Sequence, residues 1–484
     1  VSGRAPECIV ALAIAFAASS LLASSVAAPA AVAQRPVATA SIDALDFIEL
    51  QIVYTTVLAR YYEKVAPRTL VDGARNGVAA DLIASGIPNA NLPFTPARVS
   101  VGDGEDLIDA MVVRQLATYG RRLDGHRLVQ AAVAGELAQL HDPYTLLFRP
   151  QAFKKFNAFL GNEKFGGIGA ILSVDDATKR ATIERVLPNS AAERAGLLPG
   201  DQLFEIDGRP VRELDGAGLR DALRGKIGTP VTLVYGRTAG PKAPGQLLAG
   251  ARIEYLLTIV RGAVRDPEVT TARFGDVAYL ALSRFGDRAS EELRAALVDF
   301  ARAGVHGVVL DLRANGGGYG DEATAVASAF LPAGPVFTTR ERGGTPTVAA
   351  ASGTPVWTGP LAVLVDGDTA SAAEIVAGAI QDDAAGTLVG ARTFGKGVVQ
   401  SIFPLPDGSA VKLTTARYAT PKGRDIDRRG IAPDVAVAEP PGSVVGDPAR
   451  DPQLARALAV LQSQIVPSPA PEATEPTPAT VAVL

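Results

Sequence analysis

The stretch Leu361-Ala362-Val363-Leu364-Val365-Asp366-Gly367-Asp368-Thr369-Ala370-Ser371-Ala372-Ala373-Glu374-Ile375 passes from an uninterrupted apolar run through a turn into an Ala-rich segment. Apolar residues bounded by Asp and Gly read as a strand buried on both faces, and Ser371 to Ile380 as a helix. A strand that turns directly into a helix is half of a βαβ unit and predicts an α/β layer. The pattern extends both ways: strand Val277 to Leu282, helix from about Ser290 to Ala303, strand Val308 to Leu312, and helix around Asp321 to Phe330. After the quoted stretch come the strand Thr387 to Gly390 and an antiparallel pair, Val398 to Pro404 with Ala410 to Tyr418. In such layers the active loops lie beyond the carboxyl ends of the strands.

The chain of 484 residues is too long for one core, and its pattern divides it. From 41 to 153 apolar residues such as Ile42, Leu45, Ile48 and Ile52 recur at helical spacing. Within this region Leu70-Val71, Ala74 and Gly77 are matched in spacing by Leu128-Val129, Ala132 and Gly135; a degenerate repeat and simple helix packing both account for that, and packing is preferred. From 163 to 262 short β-type runs take over, broken by one helix at Gly216 to Leu223, which predicts a small sandwich or barrel. The α/β part spans 263 to 440, a segment with a short helix 441 to 467, and a Pro/Ala/Thr/Glu-rich tail, expected to be flexible, 468 to 484. At the other end, Arg4, the apolar run Ile9 to Leu22 and the small residues to Ala31-Val32-Ala33 read as a signal peptide over 1 to 33, cleaved near Gln34. The apolar run is shorter than the ~20 residues of a membrane span, so export is expected over retention as an anchor.

A formal charge of -4 with no Lys/Arg cluster gives no basic face, which excludes nucleic acid as the expected partner. The only cysteine, Cys8, lies in the leader, so neither disulfides nor thiol chemistry are expected in the processed chain. His126, His141 and His306 have no ligand spacing, and no metal or cofactor is expected.

Ser371 stands at a strand-to-helix turn, where the first helical amides lack intrahelical partners, so the amide of Ala372 is a candidate oxyanion donor. The same placement suits a plain N-cap. Lys396 lies between two glycines in Thr393-Phe394-Gly395-Lys396-Gly397-Val398-Val399-Gln400, at the mouth of an apolar strand. A lysine becomes a general base when burial leaves its amine neutral, and Gln400, four residues on along a strand, is placed to orient it. The alternative is a solvated lysine in a hairpin. In Asp311-Leu312-Arg313-Ala314-Asn315-Gly316-Gly317-Gly318 the glycines let backbone approach a substrate, and the missing Gly-Lys-Ser/Thr argues against a nucleotide loop.

In this order the three segments resemble the carboxyl-terminal processing peptidases, or tail-specific proteases, over roughly His141 to Leu461. Leu140-His141-Asp142-Pro143-Tyr144-Thr145, Thr414-Thr415-Ala416-Arg417-Tyr418, Pro421-x-Gly423-Arg424 and Gly430-Ile431-Ala432-Pro433-Asp434-Val435 extend the likeness. The resemblance implies a multidomain α/β (α+β) protein: a helical N-terminal region, a PDZ-like sandwich or barrel, and a tail-specific protease core. It implies Ser371 as nucleophile, Lys396 as base, Gln400 as its orienter, and Gly317 or Gly318 with Ala372 as the oxyanion hole. Gly316 stands where the family usually has Pro, and Ala373 where Ser is common. The β-rich module is similar to PDZ domains, with Phe165-Gly166-Gly167-Ile168-Gly169 as the carboxylate loop and Leu219, Ala222 and Leu223 as a pocket wall. Substrates are then exported proteins or peptides with exposed C-termini, cleaved in the periplasm or outside the cell. Self-association through the helical region stays open. A non-catalytic binding protein on the same fold and a Ser-His hydrolase using His306 are the alternatives.

Overall fold

The computed structural model describes residues 44–161, 164–175, 178–187, 189–238 and 252–465. The expected signal peptide with Cys8, the start of the first helical pattern at Ser41 and Ile42, and the C-terminal tail lie outside the described residues.

Four helices open the described chain: α1 (Ala44–Arg60), α2 (Pro67–Ala84), α3 (Val101–Tyr119) and α4 (Gly125–Ala138). Their starts follow local chemistry: Pro67 fits the first turn of α2, Ser100 and Asp103 form a capping box on α3, and Asp124 caps α4. The spacing shared by α2 and α4 has a steric cause. A methyl on Gly77 would lie 1.9 Å from Ala131 O, and one on Gly135 would lie 2.1 Å from Gly73 O and 2.8 Å from Gly77 N. The helices therefore cross backbone to backbone, and the matched glycines touch each other. Packing of this pair requires the pattern.

The strand β1 (Leu146–Phe148) and helix α5 (Pro150–Leu160) lead into the sandwich. Its elements are β2 (Phe165–Gly167), β3 (Ala170–Asp175), β4 (Arg180–Val186), α6 (Ala191–Arg194), β5 (Gln202–Ile206), β6 (Arg209–Pro210), α7 (Gly216–Leu223), β7 (Pro230–Thr238), β8 (Arg252–Val260) and β9 (Gly262–Val264). The sheet runs β3-β4-β5-β7-β8, with β6 on β5, and β2 pairs antiparallel with β9 so that entry and exit are tied together. β3 is an edge strand.

The remaining chain builds two sheets from β10 (Val269–Phe274), β11 (Val277–Leu282), α8 (Ala289–Arg302), β12 (Gly307–Asp311), α9 (Gly320–Ala327), β13 (Gly334–Glu341), β14 (Thr347–Ala351), β15 (Leu361–Val365), α10 (Ala372–Asp382), β16 (Thr387–Gly390), β17 (Val398–Pro404), β18 (Ala410–Ala419), β19 (Val435–Ala436) and α11 (Pro452–Gln464). One sheet has the order β10-β11-β12-β15-β16-β19 and is parallel except for β10 on β11. Every residue of β12 and β15 is buried. Val308, Leu310, Val363 and Val365 face the helices α8, α9 and α10, while Val309, Ala362 and Leu364 face α11. Cover on both faces is why these strands read as continuous apolar runs. The second sheet, β1-β18-β13-β14 with β17 on β18, joins the helical region, since Leu405, Val411 and Leu413 share a core with α1 to α4.

No helix among the described residues is long and apolar enough to cross a membrane.

Candidate active site

Three loops follow the carboxyl ends of the adjacent parallel strands β12, β15 and β16, and they carry Gly317-Gly318, Ser371 and Lys396 respectively. Polar side chains and backbone hydrogen bonds bind them together. Asp366 accepts from the backbone N-H of Ala314 at 3.0 Å and of Thr369 at 2.8 Å, while the Thr369 hydroxyl donates to Leu312 O at 2.9 Å. Asn315, fully buried, donates to Leu282 O at 2.7 Å and receives the N-H of Gly317 at 2.9 Å. Its carbonyl accepts from Ala370 N at 2.9 Å, and Thr369 O accepts from Phe394 N at 3.0 Å.

Ser371 is the residue before α10 and is partly exposed, with φ 58° and ψ -118°. A serine pays for this conformation with ~1–3 kcal/mol of strain, so its surroundings must hold it there. Gly317 backs onto the same turn: at φ +99°, a methyl on it would lie 2.8 Å from Ser371 Cβ and 2.9 Å from Ala372 N. Gly318 packs against Phe285, whose O would be 2.1 Å from an added methyl.

The fully buried Glu374 accepts on one oxygen from the Thr393 hydroxyl at 2.5 Å and Gly395 N-H at 2.7 Å. Its other oxygen accepts from Ser371 N-H and Lys396 N-H, both at 2.9 Å. The Tyr418 hydroxyl donates to Ser371 O at 3.2 Å, and Tyr418 N-H donates to Gly397 O at 3.0 Å.

The glycines beside Lys396 have a packing cause. Methyls on Gly395 and Gly397 would lie 2.7 Å from Gly430 N and 2.6 Å from Asp427 N. Lys396 is partly buried, and its Nζ lies 5.3 Å from the centroid of the Tyr144 ring. Burial, reinforced by the Lys412 ammonium, brings its amine down to about 8, against the opposing pull of Glu374 and Asp142.

The alternation argument for Gln400 does not hold. Lys396 precedes β17, which begins at Val398, and the register against β18 shifts between Val399 and Gln400. The bulge breaks the two-residue period on which a shared face depends. Gln400 Nε2 is nonetheless buried, without a hydrogen-bond partner among the described residues. In the sandwich, Gly167 pairs with Gly262, Gly169 adopts φ +78°, and Ile168, Leu219 and Leu223 are core residues at 3%, 4% and 5% exposure. The leucines thus belong to the core of the sandwich, and Ala222 packs partly buried against it.

His306 lies at the opening of β12, the opposite end of the strand from the loops, and its side chain is 52% exposed. Among the described residues, Asp46, Glu49 and His126 are the one group of three or more His, Cys, Asp or Glu side chains whose ligand atoms all lie within 4.8 Å of one another. This group braces α1, α4 and the β17–β18 turn, where Glu49 accepts from Asp407 N-H at 2.9 Å. Sequence reasoning missed the structural parts of Glu374, Tyr418, Tyr144 and Lys412. Only Glu374 had a local signal, the Ser-x-x-Glu spacing of a capping box.

A serine at a strained strand-to-helix turn, a partly dehydrated lysine on the neighbouring loop and a glycine-lined strand exit define a hydrolase-type site, here preceded by a β-sandwich with an open edge strand. The sequence model of Peptidase family S41 matches residues 276–437, and that of the PDZ domain matches 182–237. A carboxyl-terminal-processing protease of Synechocystis sp. is 36% identical over 323 residues, covering 66% of this chain and 73% of the relative. A carboxy-terminal-processing protease of Bartonella bacilliformis is 34% identical over 326 residues, covering 66% and 71%. The chain belongs to the carboxyl-terminal-processing proteases of Peptidase family S41, and is a serine peptidase with a PDZ domain.

Proposed function

We propose that this chain is an exported endopeptidase that cleaves protein substrates by a Ser-Lys mechanism and holds their C-termini in its PDZ domain. Ser371 Oγ attacks the scissile carbonyl carbon while neutral Lys396 Nζ takes the hydroxyl proton. The tetrahedral oxyanion is held by the amides of Ala372 and, of the two glycines, Gly318, because the Gly317 N-H is engaged by Asn315 at 2.9 Å. Collapse breaks the C-N bond, Lys396 donates its proton to the leaving amine, and water, deprotonated by Lys396, hydrolyses the acyl-enzyme. Gln400, whose buried Nε2 has no hydrogen-bond partner among the described residues, is given the part of orienting the lysine.

The observation that carries this reading is the pinning of the Lys396 loop to the Ser371 turn, whose N-H groups share one Glu374 oxygen at 2.9 Å, and it is supported by burial that brings the lysine amine down to about 8. A base so poised is useful at neutral pH, whereas a solvated lysine is not. The backbone around Gly167, Ile168 and Gly169 supplies the carboxylate loop, and the free edge of β3 accepts the substrate tail as an added strand.

Ser371→Ala, Lys396→Ala and His306→Ala, assayed separately on an unstructured protein, test the mechanism. Loss in the first two with survival of the third is expected; activity surviving in either of the first two refutes it. Amidating the C-terminus of a peptide substrate is expected to raise KM, and an unchanged KM refutes the role given to the PDZ domain.

A further inference from the structure

The Ser371 and Lys396 loops are joined by more than a helix cap. An ordinary capping box satisfies donors of one helix start. Glu374 does this for Ser371 N-H, but its other donors, Thr393 Oγ, Gly395 N-H and Lys396 N-H, belong to a loop beyond β16. Four donors on two oxygens suit an acceptor-only carboxylate. One oxygen receives both Ser371 N-H and Lys396 N-H at 2.9 Å, so those two nitrogens lie within about 6 Å of each other. Thr393 Oγ in turn accepts from Ile431 N-H at 2.7 Å, anchoring the loop on its far side.

Tyr418 makes the complementary link. It is 3% exposed, donates its hydroxyl to Ser371 O at 3.2 Å, and donates its own N-H to Gly397 O at 3.0 Å. Both peptide groups of the strained serine are therefore held by side chains of buried residues that also engage the lysine loop, Glu374 through its carboxylate and Tyr418 through its backbone N-H. Strained backbone persists only where its surroundings over-determine it.

We propose that Glu374 and Tyr418 are paired positioning residues that set the distance and orientation between Ser371 and Lys396. This rests on the Ser-Lys reading. Glu374 has a second effect through its charge. The groups acting on the Lys396 amine are Lys412 from β18, Glu374 from α10, and Asp142 and the Tyr144 ring from the loop before β1. Lys412 favours the neutral amine, whereas Glu374 and Asp142 favour the ammonium.

The test is steady-state cleavage of an unstructured protein across pH by Glu374→Gln, Glu374→Asp and Tyr418→Phe, with unfolding midpoints measured alongside. Misplacing reacting groups by about 1 Å costs on the order of 10²-fold, so kcat in Glu374→Gln is expected to fall by about that factor with KM little changed. Its acidic limb is expected to move to lower pH, because an anion supporting the ammonium is gone. Glu374→Asp keeps the charge but is one methylene short, so kcat falls and the limb stays. Tyr418→Phe lowers kcat without moving the limb. A parent-like kcat in Tyr418→Phe, or in a Glu374→Gln that keeps the parent's unfolding midpoint, overturns the inference. If Glu374→Gln does not fold, Tyr418→Phe alone decides. Cleavage surviving in Ser371→Ala or Lys396→Ala would sink the Ser-Lys reading instead.

Discussion

Replacing Lys412 by methionine tests whether a second ammonium helps set the base. Lys412 lies on β18 opposite Leu146 and Ile402, with its Nζ 5.9 Å from the centroid of the Phe156 ring. Burial lowers its own amine, and Asp142 opposes that shift. Methionine keeps an unbranched stem over Phe156 and removes the charge. In the parent, an amine at about 8 is neutral in roughly one molecule in eleven at pH 7 and in ten of eleven at pH 9, so kcat/KM is expected to rise about tenfold between them. Without Lys412 the Lys396 amine moves back up toward its ordinary 10.5. Each unit of that rise lowers the pH 7 rate about tenfold, with about 300-fold as the bound if the whole depression were lost. The high-pH plateau is unaffected. The assay is initial-rate cleavage of an unstructured protein from pH 6 to 10.5. An acidic limb that stays in place or moves to lower pH would refute the reasoning.

Lys396→Met is expected to abolish cleavage and raise stability at pH 7 by up to ~3 kcal/mol, since a folded value of about 8 against 10.5 unfolded makes protonation favour the unfolded chain. Denaturant titrations should show that gain largest below pH 8 and gone above about 10.5. Gly317→Ala is expected to cost ~10²-fold in kcat by pushing on Ser371, while Gly316→Ala, into open space, keeps the parent rate. Arg313→Met should destabilise by ~3–5 kcal/mol in chemical unfolding, because it strands the buried Asp311 and Asp451 that Arg313 holds at 2.6 and 2.8 Å. Glu49 is raised by burial and by Asp407 to about 7, so its share of stability is lost as pH rises from 4.5 through 7; Glu49→Gln is expected to gain up to ~3 kcal/mol over the parent above that range and nothing below pH 4.

The parallel layer was legible because β12 and β15 are buried on both faces, which leaves apolar runs no helix-period pattern imitates. The strand-to-helix turn at Ser371 and the helix Gly216–Leu223 were legible through flanking turn residues and caps. β13 and β14 were not. Their alternation is interrupted by a bulge between Pro335 and Phe337, and most of β14 is exposed. The alternation that linked Gln400 to Lys396 failed for the same physical reason, since a bulge adds a residue that leaves no trace in the sequence. The candidate catalytic residues could be named from their neighbours in the chain. What holds them together could not, because the bonds from Glu374 to Gly395 and from Tyr418 to Ser371 join residues 21 and 47 positions apart in the chain.

The order of strands also assigns sides to the proposed chemistry. β15 lies between β12 and β16, so the nucleophile loop is central, with the glycine loop on one flank and the lysine loop on the other. A serine must lose its proton on one side while the developing oxyanion is held on the other, and this arrangement supplies those functions from opposite neighbours. Adjacent strands are ~4.8 Å apart, so loops rising straight from β12 and β16 would be about 10 Å apart, too far for both to serve one carbonyl. Each must lean toward the centre. On the β12 side the absence of a side chain permits it: Gly317 has room only for hydrogen beside Ser371. On the β16 side attraction enforces it, since Glu374 draws the Lys396 N-H onto the oxygen that holds Ser371. A glycine on one flank and a carboxylate on the other are thus two answers to one spacing problem set by the sheet.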